Sequence, residues 1–104
     1  DPDRFLQRGI LTVDLHARHL TMENRLVFLP TSTFDYLVTL LRHSPEAVSF
    51  ETLVKESQDY TMTRSEAREI ARWQIHKIRG VLEPEPSHPC YIITVRDFGY
   101  RLVV

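Results

Sequence analysis

One cysteine, three glycines, one tryptophan and no long apolar run are found among the 104 residues of this chain. The first and the last of these remove a class of protein. With Cys90 alone, no intrachain disulfide can form, and nothing points to an oxidising compartment. No apolar stretch approaches the ~18–20 residues of a membrane span, and no secretory signal pattern is present, so a cytoplasmic setting with no membrane partner is expected. A surplus of one charge sign is also lacking, because 13 Lys and Arg face 14 Asp and Glu, for a net charge of −1. That balance excludes a chain coated in cations to hold nucleic acid over its whole surface.

What is present is an ordinary globular composition, 42% hydrophobic and 26% charged, enough for one domain with a single modest core. The charge is segregated. Five cations (Arg64, Arg68, Arg72, Lys77 and Arg79) and two acids (Glu66 and Glu69) lie between Arg64 and Arg79, a surplus of three that leaves −4 on the remainder. Any polyanion site is therefore local.

Short alternating runs at Ile10–Leu15, His19–Met22 and Arg25–Leu29 predict a small antiparallel sheet. Phe34, Leu37, Val38 and Leu41 follow at i, i+3, i+4 and i+7, the spacing of one helical face. That helix is expected over Thr31–Arg42, with Thr31 or Ser32 as its cap and His43-Ser44-Pro45 as its stop. A second helix is expected from Ser49 to about Ser57, and Gln58–Thr63 reads as a loop. A third runs from about Arg64 to Glu83 and stops before Pro84. Tyr91–Val104 then reads as two strands around the turn Asp97-Phe98-Gly99, with Gly99 where a positive φ is expected.

On a helical wheel, Ala71, Ile75, Ile78 and Leu82 cluster within roughly 40° as a core stripe. The opposite side carries Glu69, Ile70, Trp73, His76, Lys77 and Gly80. An apolar ring at the centre of a polar face is normally used at an interface; the competing expectation is that Trp73 folds back on the 58–63 loop or the hairpin. In a DNA-reading helix such groups pack on thymine methyls, while Gln74, His76 and Lys77 reach base edges or phosphates. Arg72 suits a phosphate clamp or a pairing with Glu equally, and phosphate is favoured for Arg79. Arg96 and Arg101 flank the hairpin turn, where an arginine suits a narrow minor groove, and Asp97 beside them is expected to soften binding. Gly80 reads as tolerated drift or as a point of close backbone approach.

No other chemistry competes. The five histidines and Cys90 lack metal-ligand spacing, no Ser has an identifiable His/Asp partner, and no cofactor signature is present. The Asp97-Phe98-Gly99 triplet of protein kinases stands here without the glycine-rich loop, strand lysine and catalytic loop it needs. A non-enzyme is expected.

Four stretches carry a family resemblance: Leu29 with Phe34, Val48-Ser49 with Leu53, Ile75 with Lys77-Ile78-Arg79 and Leu82, and Thr94-Val95-Arg96 with Gly99-Tyr100-Arg101. Over about Gly9 to Val104 the chain resembles the winged-helix effector domain of OmpR/PhoB-type response regulators, and the last stretch is the most specific. The resemblance implies an α+β fold with an N-terminal antiparallel sheet, three helices and a C-terminal hairpin wing. It implies sequence-specific double-stranded DNA binding for transcription regulation, with Trp73, Gln74, His76, Lys77 and Arg79 facing the major groove. It puts Arg96 of the wing at the minor groove. RNA polymerase contact through the Gln58–Thr63 loop, pairing of two copies on DNA and an upstream receiver or sensor domain are implied as well, with residues 1–8 as the remnant of a linker and 9–104 as the domain. The chain departs from the family at Ala71-Arg72-Trp73-Gln74, at Glu69, at Asp97 in place of the wing glycine, and at Pro30 and Thr33. The alternative from another class is a protein-docking winged helix with Trp73 and Ile70 as its contact patch.

Overall fold

The computed structural model describes residues 3–104. A four-stranded antiparallel sheet comes first, in the order β1 (Phe5–Arg8), β2 (Leu11–Asp14), β3 (His19–Met22), β4 (Arg25–Val27). Helices α1 (Thr31–His43), α2 (Phe50–Gln58) and α3 (Arg64–Leu82) follow, with the two-residue strand β5 (Val48–Ser49) between the first two. Strands β6 (Ile92–Val95) and β7 (Gly99–Leu102) close the chain and join β5 in a second sheet, ordered β5-β7-β6.

The sheet begins earlier than the sequence pattern predicts. Phe5–Arg8 was expected in the linker, yet it pairs along its length with β2. The strand is an edge whose Phe5 and Gln7 face solvent, so it lacks the apolar alternation that marks a half-buried strand. Asp1 and Pro2, the rest of that expected linker apart from Asp3 and Arg4, lie outside the described residues. At the β1–β2 turn Gly9 has φ +53, and a Cβ there would lie 2.5 Å from the backbone of Val104, so only glycine fits.

Register puts Leu6, Val13, Leu20 and Val27 on one face of the first sheet. On the facing helices the core takes Phe34, Tyr36, Leu37, Leu40 and Leu41 of α1, Leu53 and Val54 of α2, and the α3 stripe. All four stripe residues, Ala71, Ile75, Ile78 and Leu82, are buried as expected. Helix α1 is capped differently from the expectation. Pro30 is its N-cap and makes no side-chain cap bond, and Thr31 and Ser32 lie inside the helix. Proline presets the entry φ without supplying a side-chain acceptor, and its carbonyl accepts the Phe34 N–H at 2.9 Å. Helix α2 begins as read, with Ser49 Oγ accepting the Thr52 N–H at 3.1 Å. Helix α3 has a full capping box between Thr63 and Glu66, the reciprocal arrangement that satisfies two orphan donors.

The wing turn also differs from expectation. The positive φ falls on Asp97 (φ 59) and not on Gly99. Gly99 is required for another reason: a Cβ there would collide with the carbonyl oxygen of Val48. The close approach of β5 to β7 thus depends on its missing side chain.

Candidate nucleic-acid interface

Helix α3 turns its apolar stripe inward and leaves an aromatic, cationic face outside. Trp73 is 60% exposed, so it is not folded away against the 58–63 stretch or the hairpin. Its indole stacks loosely on the His76 ring at 6.4 Å, and Lys77 Nζ stands 5.2 Å from its centroid. Three of the expected site residues therefore form one cluster, Trp73 and His76 exposed and Lys77 half-buried beside the indole, an arrangement in which the ring fixes the direction of the ammonium.

Between α3 and the wing lies an open groove of about 630 Å³. Arg68, Arg72, His76 and Arg79 line it from the helix, and Arg96 with Asp97 from the wing tip. Its floor is aromatic. Phe50 and Tyr100 meet edge to face at 5.9 Å, and the guanidinium of Arg68 lies 5.8 Å from the Phe50 ring. Arg96 is 96% exposed, and the wing tip turns toward the helix. Arg68, Arg72 and Arg96 face one acid there and make a concentrated positive field in a chain of net charge −1.

Two expected site residues have other employment, and a third stands away from the groove. Gln74 is only 5% exposed; its Oε1 accepts from Thr33 Oγ1 at 2.7 Å and its Nε2 donates to Ser32 Oγ at 3.3 Å. It sits roughly 60° from Ala71 on the wheel, on the margin of the core stripe, where α1 covers it. Arg79, favoured for phosphate, is half-buried and donates through Nη2 to the Ile92 carbonyl at 2.8 Å and to Thr94 Oγ1 at 2.9 Å. Its guanidinium lies 5.6 Å from the Tyr100 ring. Burial lowers its pKa from the usual arginine value, with Tyr100 and Glu83 pulling the other way, and its Nε is buried without a hydrogen-bond partner. Arg79 braces the wing against α3. Arg101 is exposed, but it pairs in register with Ile93, on the hairpin face opposite Thr94 and Tyr100. It therefore does not line the groove.

Sequence reasoning missed a second brace. Glu83 is 5% exposed, and its carboxylate accepts the backbone N–H groups of Cys90, Tyr91 and Ile92 at 2.8–3.0 Å. Burial pushes this carboxyl up, but the three N–H donors hold it below its ordinary range. It fastens the returning chain to the end of α3 and so sets where β6 begins. A signal existed. An acid at a helix C-terminus opposes the macrodipole, which asks for a specific partner nearby.

Among the described residues no group of three or more His, Cys, Asp or Glu could hold a metal ion, and no helix is long and apolar enough to cross a membrane.

A sheet, three helices and a hairpin set beside the last helix define a winged-helix protein of the OmpR/PhoB type. Residues 24–102 match the family model described as "Transcriptional regulatory protein, C terminal", and the chain belongs to that family. It is 29% identical over 103 residues to a probable transcriptional regulator ycf27 of Cyanidium caldarium, covering 96% of this chain and 41% of that protein. This chain thus spans about two fifths of the length of that relative. Among solved structures, the DNA-binding domain of Klebsiella pneumoniae RstA, in complex with the RstA box, matches with TM-score 0.74 and 29% identity, covering 95% of this chain and 96% of that one. The Thermotoga maritima response regulator DrrB, an OmpR/PhoB homolog, matches with TM-score 0.77 and 22% identity over 97% of this chain and 45% of that one. At that identity it speaks for the fold alone.

Proposed function

We propose that this domain binds double-stranded DNA in a sequence-specific manner and regulates transcription. The observation that carries the reading is the Trp73–His76–Lys77 cluster, with Trp73 and His76 exposed and Lys77 half-buried, running into an arginine-lined groove that ends at the solvent-exposed Arg96. The face has the width of one helix, which a major groove admits, and the arginine projects where the adjoining minor groove would lie. Trp73 supplies apolar contact to thymine methyls. His76 and Lys77 reach base edges or phosphates, Arg68 and Arg72 hold the backbone, and Arg96 enters the minor groove. Gln74 and Arg79 support the scaffold instead. The RstA domain, similar over nearly the whole of this chain, is a DNA complex. Family membership belongs to a class of regulators and not of enzymes.

The wider setting follows the same reading. The domain, residues 9–104 with β1 added, acts in the cytoplasm as the output module of a two-component response regulator whose receiver or other sensor precedes it. That fits a chain spanning about two fifths of a similar regulator. Two copies occupy repeated half-sites. The loop that carries Tyr60, 59% exposed, contacts RNA polymerase.

The test is a salt titration of duplex binding. Affinity should fall with a log–log slope of about 0.9 per neutralised phosphate. Lys77→Ala and Arg96→Ala should each weaken binding about eightfold at 0.1 M salt, the value of one such contact extrapolated from 1 M, with unchanged thermal midpoints. Duplex binding that ignores both substitutions would refute this site. Absence of duplex binding would favour a docking module built on Trp73 and Ile70.

A further inference from the structure

The acid in the groove stands in a telling place. Asp97 occupies the wing tip at φ 59, a left-handed conformation that an aspartate adopts at a cost and a glycine adopts freely. There its Oδ1 lies 3.8 Å from Arg68 Nη1 of α3, and its Oδ2 lies 3.9 Å from Arg96 Nε of the wing. One carboxylate thus sits between the two cations that face each other across the mouth of the groove. Both contacts are longer than a hydrogen bond, and Asp97 and Arg68 remain more than half exposed, so the contact opens easily. A carboxylate and a phosphodiester each present two acceptor oxygens and one negative charge to guanidinium groups.

We propose that Asp97 is a built-in competitor for DNA: its carboxylate holds the position of one backbone phosphate between Arg68 and Arg96 and must be displaced when duplex enters. The inference rests on the DNA-binding reading above and adds a self-limiting contact to the same site. It makes the wing a latch, closed on α3 in the free protein by the Arg68–Asp97 contact, with Arg96 holding the carboxylate from the wing's own side, and opened by a phosphate at the rim of the minor groove that takes over both arginines. The competition is electrostatic between exposed groups, so its influence shrinks as salt screens it.

The experiment measures duplex affinity for the wild type, Asp97→Asn, Asp97→Gly, Arg68→Gln and the Arg68→Gln/Asp97→Asn double variant, at 0.05 and 0.3 M salt. Asparagine tolerates the left-handed backbone and keeps the turn, and glycine provides a second variant should asparagine alter folding; thermal melts accompany both. Expected is a tightening of about three- to fivefold for Asp97→Asn and Asp97→Gly at low salt, within the range that exposed ion pairs span. The gain should fall below twofold at 0.3 M and below twofold when Arg68 is already glutamine. A gain that persists undiminished in the Arg68→Gln background would show simple repulsion of DNA and overturn the latch, as would no gain at all in a wild type that binds duplex. If neither the wild type nor any variant binds duplex, the DNA reading itself fails and the latch falls with it.

Discussion

Arg79 and Arg96 are the same residue type on the two sides of one groove, yet they work in opposite ways. Arg79 is half-buried, its Nη2 shared between the Ile92 carbonyl and Thr94, and its charge is spent inside the molecule. Arg96 is almost wholly in water, and its charge is available to a ligand. The seam between α3 and the wing, closed by Arg79 and Glu83, is the part that must not move. The outer face and wing tip, with Trp73, Lys77 and Arg96, are the part proposed to meet DNA. Partners, not residue identity, decide the role. Substitutions in the seam should therefore lower stability and reduce binding only through the folded fraction, whereas substitutions outside should lower binding at unchanged stability.

The sharpest break comes at Arg79. Arg79→Ala removes both bonds to β6 and leaves the Ile92 carbonyl short of a donor, which costs about 2–3 kcal/mol. Urea unfolding followed by circular dichroism should show that loss. Once binding is corrected for the folded fraction, the salt slope should match wild type. A slope reduced by a full phosphate at wild-type stability would return Arg79 to the DNA surface and erase the distinction.

Glu83 tests the same seam through pH. Its folded carboxyl titrates below the ordinary value of 4.5, so its contribution is complete above that pH and is lost as the pH falls through the folded value. Glu83→Gln, with one amide NH₂ turned toward backbone donors, should cost about 1–2 kcal/mol at pH 7. The gap between variant and wild type should narrow as the pH drops below 4.5. A gap independent of pH between 7 and 3 would mean that packing, and not the carboxylate, ties the returning chain to α3.

These two residues also mark where sequence reading ran out. The α3 stripe was legible because helical periodicity records burial directly, and the hairpin was legible because two apolar runs flank a short turn. Ser49 was legible as a cap because its hydroxyl acts within its own neighbourhood. Gln74 and Arg79 were misplaced because their partners lie 41 and 13 residues away, a distance at which no local pattern speaks. Both also sit near the edge of the stripe, where a small rotation decides between α1, the wing and water. β1 escaped because an edge strand with an exposed face carries little alternation. The candidate site was half legible: Trp73, His76, Lys77 and Arg96 emerged from the polar face and the turn. The convergence of Arg68 with Asp97 depends on how far the wing folds toward the helix.

Gly80 supplies the smallest expected effect and the finest division between the two regions. It lies on the solvent side of α3, and a Cβ placed there meets nothing within 4 Å. No close approach inside the molecule requires it, so Gly80→Ala should stabilise the domain by about 0.5–1 kcal/mol through helix propensity alone. Its distance from Trp73 is seven residues, about two turns or ~10 Å along the axis, and on the same side of the wheel. Duplex affinity then reports how far the contacting surface extends. Unchanged affinity with a raised melting midpoint would end the interface near Lys77. A stabilised protein with weakened affinity would mean that a phosphate backbone passes over Gly80 too closely for a methyl group, carrying the outer face a full turn further toward Leu82.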